Sequence, residues 1–191
     1  MIILDGGLGR QLEAMGAPFR QPEWSAAALI EGPHFVRAAH DAFIAAGADV
    51  ISTNSYAVVP YHIGEEKYAE RADELLTIAA REAREAASTA ERHVRVAASV
   101  PPMFGSYLPN AFDSSRGRQM MKQFRRQLAP VADIFCGETL GSIAEVTAFL
   151  DVFGDVAADL WVSVTLEDAD ADPELISTTS GNPRVISPGL A

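Results

Sequence analysis

Residues 34–57 read HFVRAAHDAFIAAGADVISTNSYA, and the stretch changes period halfway along. Phe35, Val36, Ala39, Phe43 and Ala46 recur at helical spacing, and Gly47 follows as a stop signal. The spacing then shortens, and Asp49–Asn54 (DVISTN) reads as a β-strand that ends on polar residues. A helix that delivers its chain into a strand is the repeating unit of an α/β fold.

The same alternation runs outward in both directions. Upstream, Ile2–Asp5 reads as a strand entering a glycine cluster. Downstream, Glu65–Ala87 is a long helix with Tyr68, Ala72, Leu75, Leu76, Ala79 and Ala83 on one face. Val94–Val100 is the next strand, stopped by Pro101-Pro102. A helix marked by Met120, Met121, Phe124 and Leu128 leads to the strand Asp133–Glu138. A further helix, with Ile143, Val146, Phe149, Leu150 and Phe153, leads to the strand Leu160–Leu166. Strands separated by helices imply βαβ crossovers and a parallel sheet. Two architectures satisfy the pattern: an open doubly wound sheet and a closed (β/α)8 barrel.

Composition narrows the class. Of 191 residues, 48% are hydrophobic and 21% charged, the profile of a soluble globular protein. The net charge of −11 leaves no basic footprint for nucleic acid. No apolar run reaches the roughly 20 residues of a membrane span, and the start lacks the basic region of a signal peptide. The sole cysteine, Cys136, excludes an internal disulfide framework. A cytoplasmic location is expected.

Chemistry gathers at the strand ends: Asp5, Thr53-Asn54, Glu138-Thr139 and Thr165. In parallel α/β folds those ends line the ligand site. Asp5-Gly6-Gly7-Leu8-Gly9 also resembles part of a loop that cradles an adenosyl cofactor, but that loop needs a glycine where Gln11 stands. It also needs an acidic residue at the end of the second strand, which here ends Ser52-Thr53-Asn54-Ser55. The cofactor-loop reading fails on both counts. The four histidines show no paired-ligand spacing and are read as structural or solvated.

Taken in order, several stretches resemble the homocysteine S-methyltransferase family, with its betaine- and S-methylmethionine-dependent branches. They are DGGLGRQLEAMG (5–16), EWS (23–25), the segment 34–57, SVPPMFGSYLP (99–109), GETLGSIAEV (137–146) and WVSVTLED (161–168). The resemblance implies a (β/α)8 TIM barrel of the homocysteine-binding type. This chain would hold about five to six of its βα units, since a barrel takes about 250 residues. Residues 1–168 would form the partial barrel and 169–191 an irregular, divergent tail with one apolar pulse at Val185-Ile186.

The resemblance also implies an activity: methyl transfer from a sulfonium, quaternary ammonium or folate donor to the thiol of homocysteine, giving methionine. Asp5, Gly6, Gly7, Thr53, Glu138 and Thr139 would contact homocysteine, with Glu138 on its ammonium. Trp24 and Tyr56 would line the donor pocket, where aromatic faces suit a cation. The family holds zinc through three cysteines late in the barrel. Those cysteines are missing here, and Cys136 does not stand at a ligand position. The chain is therefore expected to be either an incomplete reading of a longer enzyme or a short relative. The alternative functions are a zinc-free amino-acid-binding or regulatory module of the same fold, or a metal-free enzyme using Asp5 and Glu138 as acid and base. A partial barrel would expose sheet edges, so poor stability or a homo-oligomer covering them is expected.

Overall fold

The computed structural model describes residues 1–166. Its elements are α1 (Leu8–Ala14), α2 (Ala26–Glu31), α3 (Pro33–Ala45), β1 (Val50–Ser52), α4 (Pro60–Ile63), α5 (Glu65–Thr89), β2 (Arg95–Val100), α6 (Ser114–Leu128), β3 (Ile134–Leu140), α7 (Ile143–Phe153) and β4 (Asp159–Val164). The sequence periods locate the major helices and strands to within a few residues, apart from the start of α6. Local chemistry explains several boundaries. Pro33 opens α3, where its missing N–H costs nothing. Asp113 caps α6 by accepting from Ser115 N and Arg116 N. Ser142 and Glu145 form a reciprocal box at the start of α7: Ser142 Oγ accepts from Glu145 N, and Glu145 Oε2 accepts from Gly141 N at 2.7 Å. That assignment gives Glu145, 3% exposed, a structural role.

All four strands are parallel and lie in chain order, β1-β2-β3-β4. The helix layer follows the same order, α3 on α5, α5 on α6, and α6 on α7. A doubly wound sheet reverses its strand order at a switch point and places helices on both faces. No reversal occurs among the described strands, so this part of the sheet is singly wound. The main core lies between helices and sheet, where Leu75, Leu76, Met121, Phe124, Phe135, Phe149 and Phe153 are fully buried. The opposite face carries a smaller cluster of Val50, Ala97 and Ile134, flanked by Cys136 and Trp161.

The expected strand Ile2–Asp5 is reduced to one bridge, Leu4 to Val50. Its only strand neighbour among the described residues is the three-residue β1, and Ile2, Ile3 and Leu4 stay largely exposed. The described strands thus form an open sheet, edged by Met1–Leu4 and β4. The expected tail, 169–191, lies outside the described residues. No helix among the described residues is long and apolar enough to cross a membrane.

The two ends of the sheet differ in chemistry. Strand starts carry ion pairs: Arg92–Asp49 at 3.1 Å, Arg84–Asp133 at 2.7 Å and Arg95–Asp159 at 2.5 Å. Strand ends carry hydroxyls and two carboxylates. Asp5 and Glu138 are on the side where α/β folds bind ligands.

Candidate functional site

Strand alternation sets which side chains meet. Ser52 pairs in register with Ala97, and Ser99 with Cys136, so Ser52, Ser99, Cys136 and Glu138 share the face turned away from the helices. Asp5 enters beside them from the N-terminal segment, held by Asp5 N donating to Val50 O at 2.9 Å. Its carboxylate accepts from Ser52 N at 2.7 Å and Ser52 Oγ at 3.0 Å. Glu138 accepts from Ser99 Oγ at 2.7 Å. Both carboxylates line one cavity of about 380 Å³, together with Gly6, Gly7, Ser25, Thr53, Asn54 and Tyr56.

Burial decides the electrostatics. It raises the Asp5 carboxyl above the ordinary range, although the two Ser52 hydrogen bonds work against it. Glu138 is raised by burial first and also by the charge of Asp5, while the Ser99 hydroxyl opposes both. Two carboxylates that each resist ionisation in one cavity make a receptor for a cation, because a cation placed there favours ionisation of both.

A second cavity of about 310 Å³ adjoins the first and shares Gly9, Ser25 and Tyr56 with it. Phe19, Trp24, Ala57, His62 and Ser106 complete its lining. Phe19 and Trp24 meet edge to face at 5.7 Å between centroids. Tyr56 stands between the cavities, its hydroxyl 2.6 Å from Ser106 Oγ. The structure therefore joins an acidic compartment to an aromatic one across a single tyrosine.

The sequence-based residues sort as follows. Asp5, Gly6, Gly7, Thr53 and Glu138 come together around the first cavity, and Trp24 and Tyr56 around the second. Thr53 lines the cavity, but its hydroxyl is already engaged: it accepts from Ser99 N at 3.0 Å and lies 2.7 Å from Ser55 Oγ. Thr139 lines neither cavity. It sits at the register shift in β3 with a positive φ of 58°, its hydroxyl beside that of Tyr56. Trp24 also has a positive φ, 48°. Strained backbone at non-glycine positions is found where the surroundings impose it, often at ligand sites. The sequence reading missed Ser52, Ser99 and Ser106 as parts of the site. Ser52 and Ser99 stand two residues beyond Val50 and Ala97 on the same face of the sheet, a placement that only the register between strands reveals.

Among the described residues no three His, Cys, Asp or Glu side chains are grouped to hold a metal ion. The one thiol, Cys136, faces the apolar cluster of Val50, Ala97 and Ile134, and burial together with the charges of Glu138 and Asp5 pushes it up to about 12. One thiol supplies a single ligand, short of the three or four that a zinc site takes. The described residues do not fit the zinc centre that the sequence resemblance implies.

Fold and site define the class: a singly wound parallel α/β protein with an acidic ligand cavity at the strand ends. The homocysteine S-methyltransferase family profile matches residues 2–183, and the chain belongs to that family. Homocysteine S-methyltransferase 1 of Zea mays is 31% identical over 191 residues, covering 87% of this chain and 59% of that protein. Homocysteine S-methyltransferase 2 of Arabidopsis thaliana is 28% identical over 224 residues, covering 98% of this chain and 67% of that protein. The selenocysteine Se-methyltransferase of Brassica oleracea var. italica is 29% identical, covering 98% and 64% respectively. The metallated Escherichia coli homocysteine methyltransferase MmuM superposes with a TM-score of 0.74 at 27% identity, covering 87% of this chain and 64% of that one. The chain thus spans 59–67% of the length of these curated relatives.

Proposed function

We propose that this chain carries the substrate-binding part of a homocysteine S-methyltransferase. The acidic cavity receives the amino-acid end of homocysteine, and the aromatic cavity receives an onium methyl donor. The observation that carries the reading is the placement of Asp5 and Glu138 on one cavity that Tyr56 separates from an aromatic neighbour. Glu138 and Asp5 hold the ammonium, and the Gly6-Gly7 backbone leaves room for the amino-acid end. Trp24 and Tyr56 present ring faces to the donor's positive charge. The homocysteine sulfur forms a bond to the donor methyl carbon as the methyl–heteroatom bond breaks. The donor heteroatom keeps the electron pair, and the thiol proton is released. These residues contribute positioning and exclusion of water. No step is assigned to a metal.

The singly wound strand order supports a (β/α)8 barrel as the parent architecture, with residues 1–168 as part of it. Calorimetric titration of homocysteine into the chain and into a Glu138→Ala variant tests the site. Binding by the parent and its loss in the variant are expected. Binding that survives the substitution would overturn the assignment. Methyl-transfer assays with a sulfonium and a quaternary ammonium donor then separate the donor classes.

A further inference from the structure

Ser99 holds a position that the binding scheme above leaves unused. Its hydroxyl makes one hydrogen bond, to Glu138 Oε2 at 2.7 Å, and the residue is 1% exposed. Its peptide is gripped from both sides by the end of β1. Thr53 Oγ1 accepts from Ser99 N at 3.0 Å, and Ser55 Oγ donates to Ser99 O at 2.6 Å. The Thr53 and Ser55 hydroxyls lie 2.7 Å apart, so the two grips are joined. Thr53 N also donates to Ala97 O at 2.9 Å, which fixes β1 against β2 directly below the clamp.

We infer that Ser99 is a positioning residue for Glu138, and that Thr53 and Ser55 act as a clamp which aims the Ser99 hydroxyl at that carboxylate. The proposal rests on the reading that Glu138 binds the substrate ammonium, and it reassigns Thr53 from substrate contact to support of the site. A buried carboxylate has rotamer freedom and an incentive to stay protonated. A fixed hydroxyl donor removes the freedom and favours the ionised form, which an ammonium needs as its partner. A serine placed only for packing would not require its backbone to be held through both N–H and C=O by side chains of the segment that follows β1.

The test uses the full chain and needs no ligand for its first arm. Carboxyl 13C NMR is used to follow the titration of Glu138 in the parent, Ser99→Ala and Ser99→Thr. The alanine variant loses one hydroxyl and no backbone bond, so it is expected to fold. Its Glu138 midpoint should rise by about one pH unit, the size of one charge-assisted hydrogen bond partly compensated. The threonine variant keeps the donor and should retain the parent midpoint. An unchanged midpoint in Ser99→Ala would overturn the proposal. The second arm measures homocysteine affinity against pH. On the acidic limb the alanine variant should bind about tenfold more weakly, with the limb displaced alongside the NMR midpoint. A moved midpoint with homocysteine binding unaffected by Glu138→Ala would overturn the ammonium reading while leaving the Ser99–Glu138 coupling intact. The two failures are thereby distinguishable.

Discussion

Asp5 and Glu138 reach one cavity from opposite sides of β1 and β2, and the charge of Asp5 raises the Glu138 carboxyl. Burial and that charge together hold Glu138 back from ionising until a cation lies beside it. Glu138→Gln removes that opposition and the ammonium partner together. Its homocysteine affinity should fall by roughly 10- to 100-fold, the range for a charged hydrogen bond. Its stability at neutral pH should hold or rise. A carboxyl whose folded pKa is raised favours the fold below its unfolded value, and that contribution is lost as pH rises through the folded value. Urea titration at pH 7 beside calorimetry checks both signs.

Among the described residues His40 has no hydrogen-bond partner for either ring nitrogen, and it is fully buried. Burial, with Arg37 nearby, pushes it down to about 4. The unfolded chain then binds a proton near the ordinary 6.5 that the folded chain refuses. Stability is full above that value, and about 3 kcal/mol is lost as pH falls from 6.5 to 4. Asp5 and Glu138 titrate in the opposite sense, so the comparison must be with a His40→Leu variant. Urea midpoints across pH 7 to 4 should fall more steeply for the parent.

Thr139 places a β-branched residue at a φ of 58°, where only glycine is unstrained. Thr139→Gly should leave stability unchanged or raise it by up to about 1 kcal/mol, although glycine in a strand ordinarily weakens it. Chemical denaturation measures this. A loss above 1 kcal/mol would show that the threonine side chain, beside the Tyr56 hydroxyl, outweighs the backbone cost.

Trp24 is 40% exposed and faces the aromatic cavity. Trp24→Ala should weaken a small onium ligand by about tenfold, in line with a partly exposed cation–π contact. Homocysteine affinity should not change. Titration with a sulfonium amino acid, followed by the intrinsic fluorescence of the parent and by calorimetry of both proteins, makes the comparison.

Much of this was legible because burial writes itself into spacing. The long apolar faces of α5 and α7, and the short apolar runs of β2 and β3, announce their elements directly. The strand at Ile2–Asp5 misled because apolar residues fix a preference but not a neighbour, and only Leu4 is bridged. Asp5 and Glu138 were visible as polar ends to apolar runs. Ser99 was not, because serine takes its role from the register between strands, and register is not carried by one strand alone. Thr53 met the same limit: it lines the cavity, yet its hydroxyl is engaged by Ser99 N on β2.

The strand order has one more consequence. Each strand pairs with its immediate predecessor, and each main helix packs on the one before it. Among the described residues no later segment has to be inserted between two earlier ones. Every loop closed during folding is consequently short on the scale of the chain, which keeps the entropic cost of closure low. The order of assembly can follow the order of synthesis, one βα unit docking on the last, and Glu138 reaches the waiting Ser99 only when the third strand arrives.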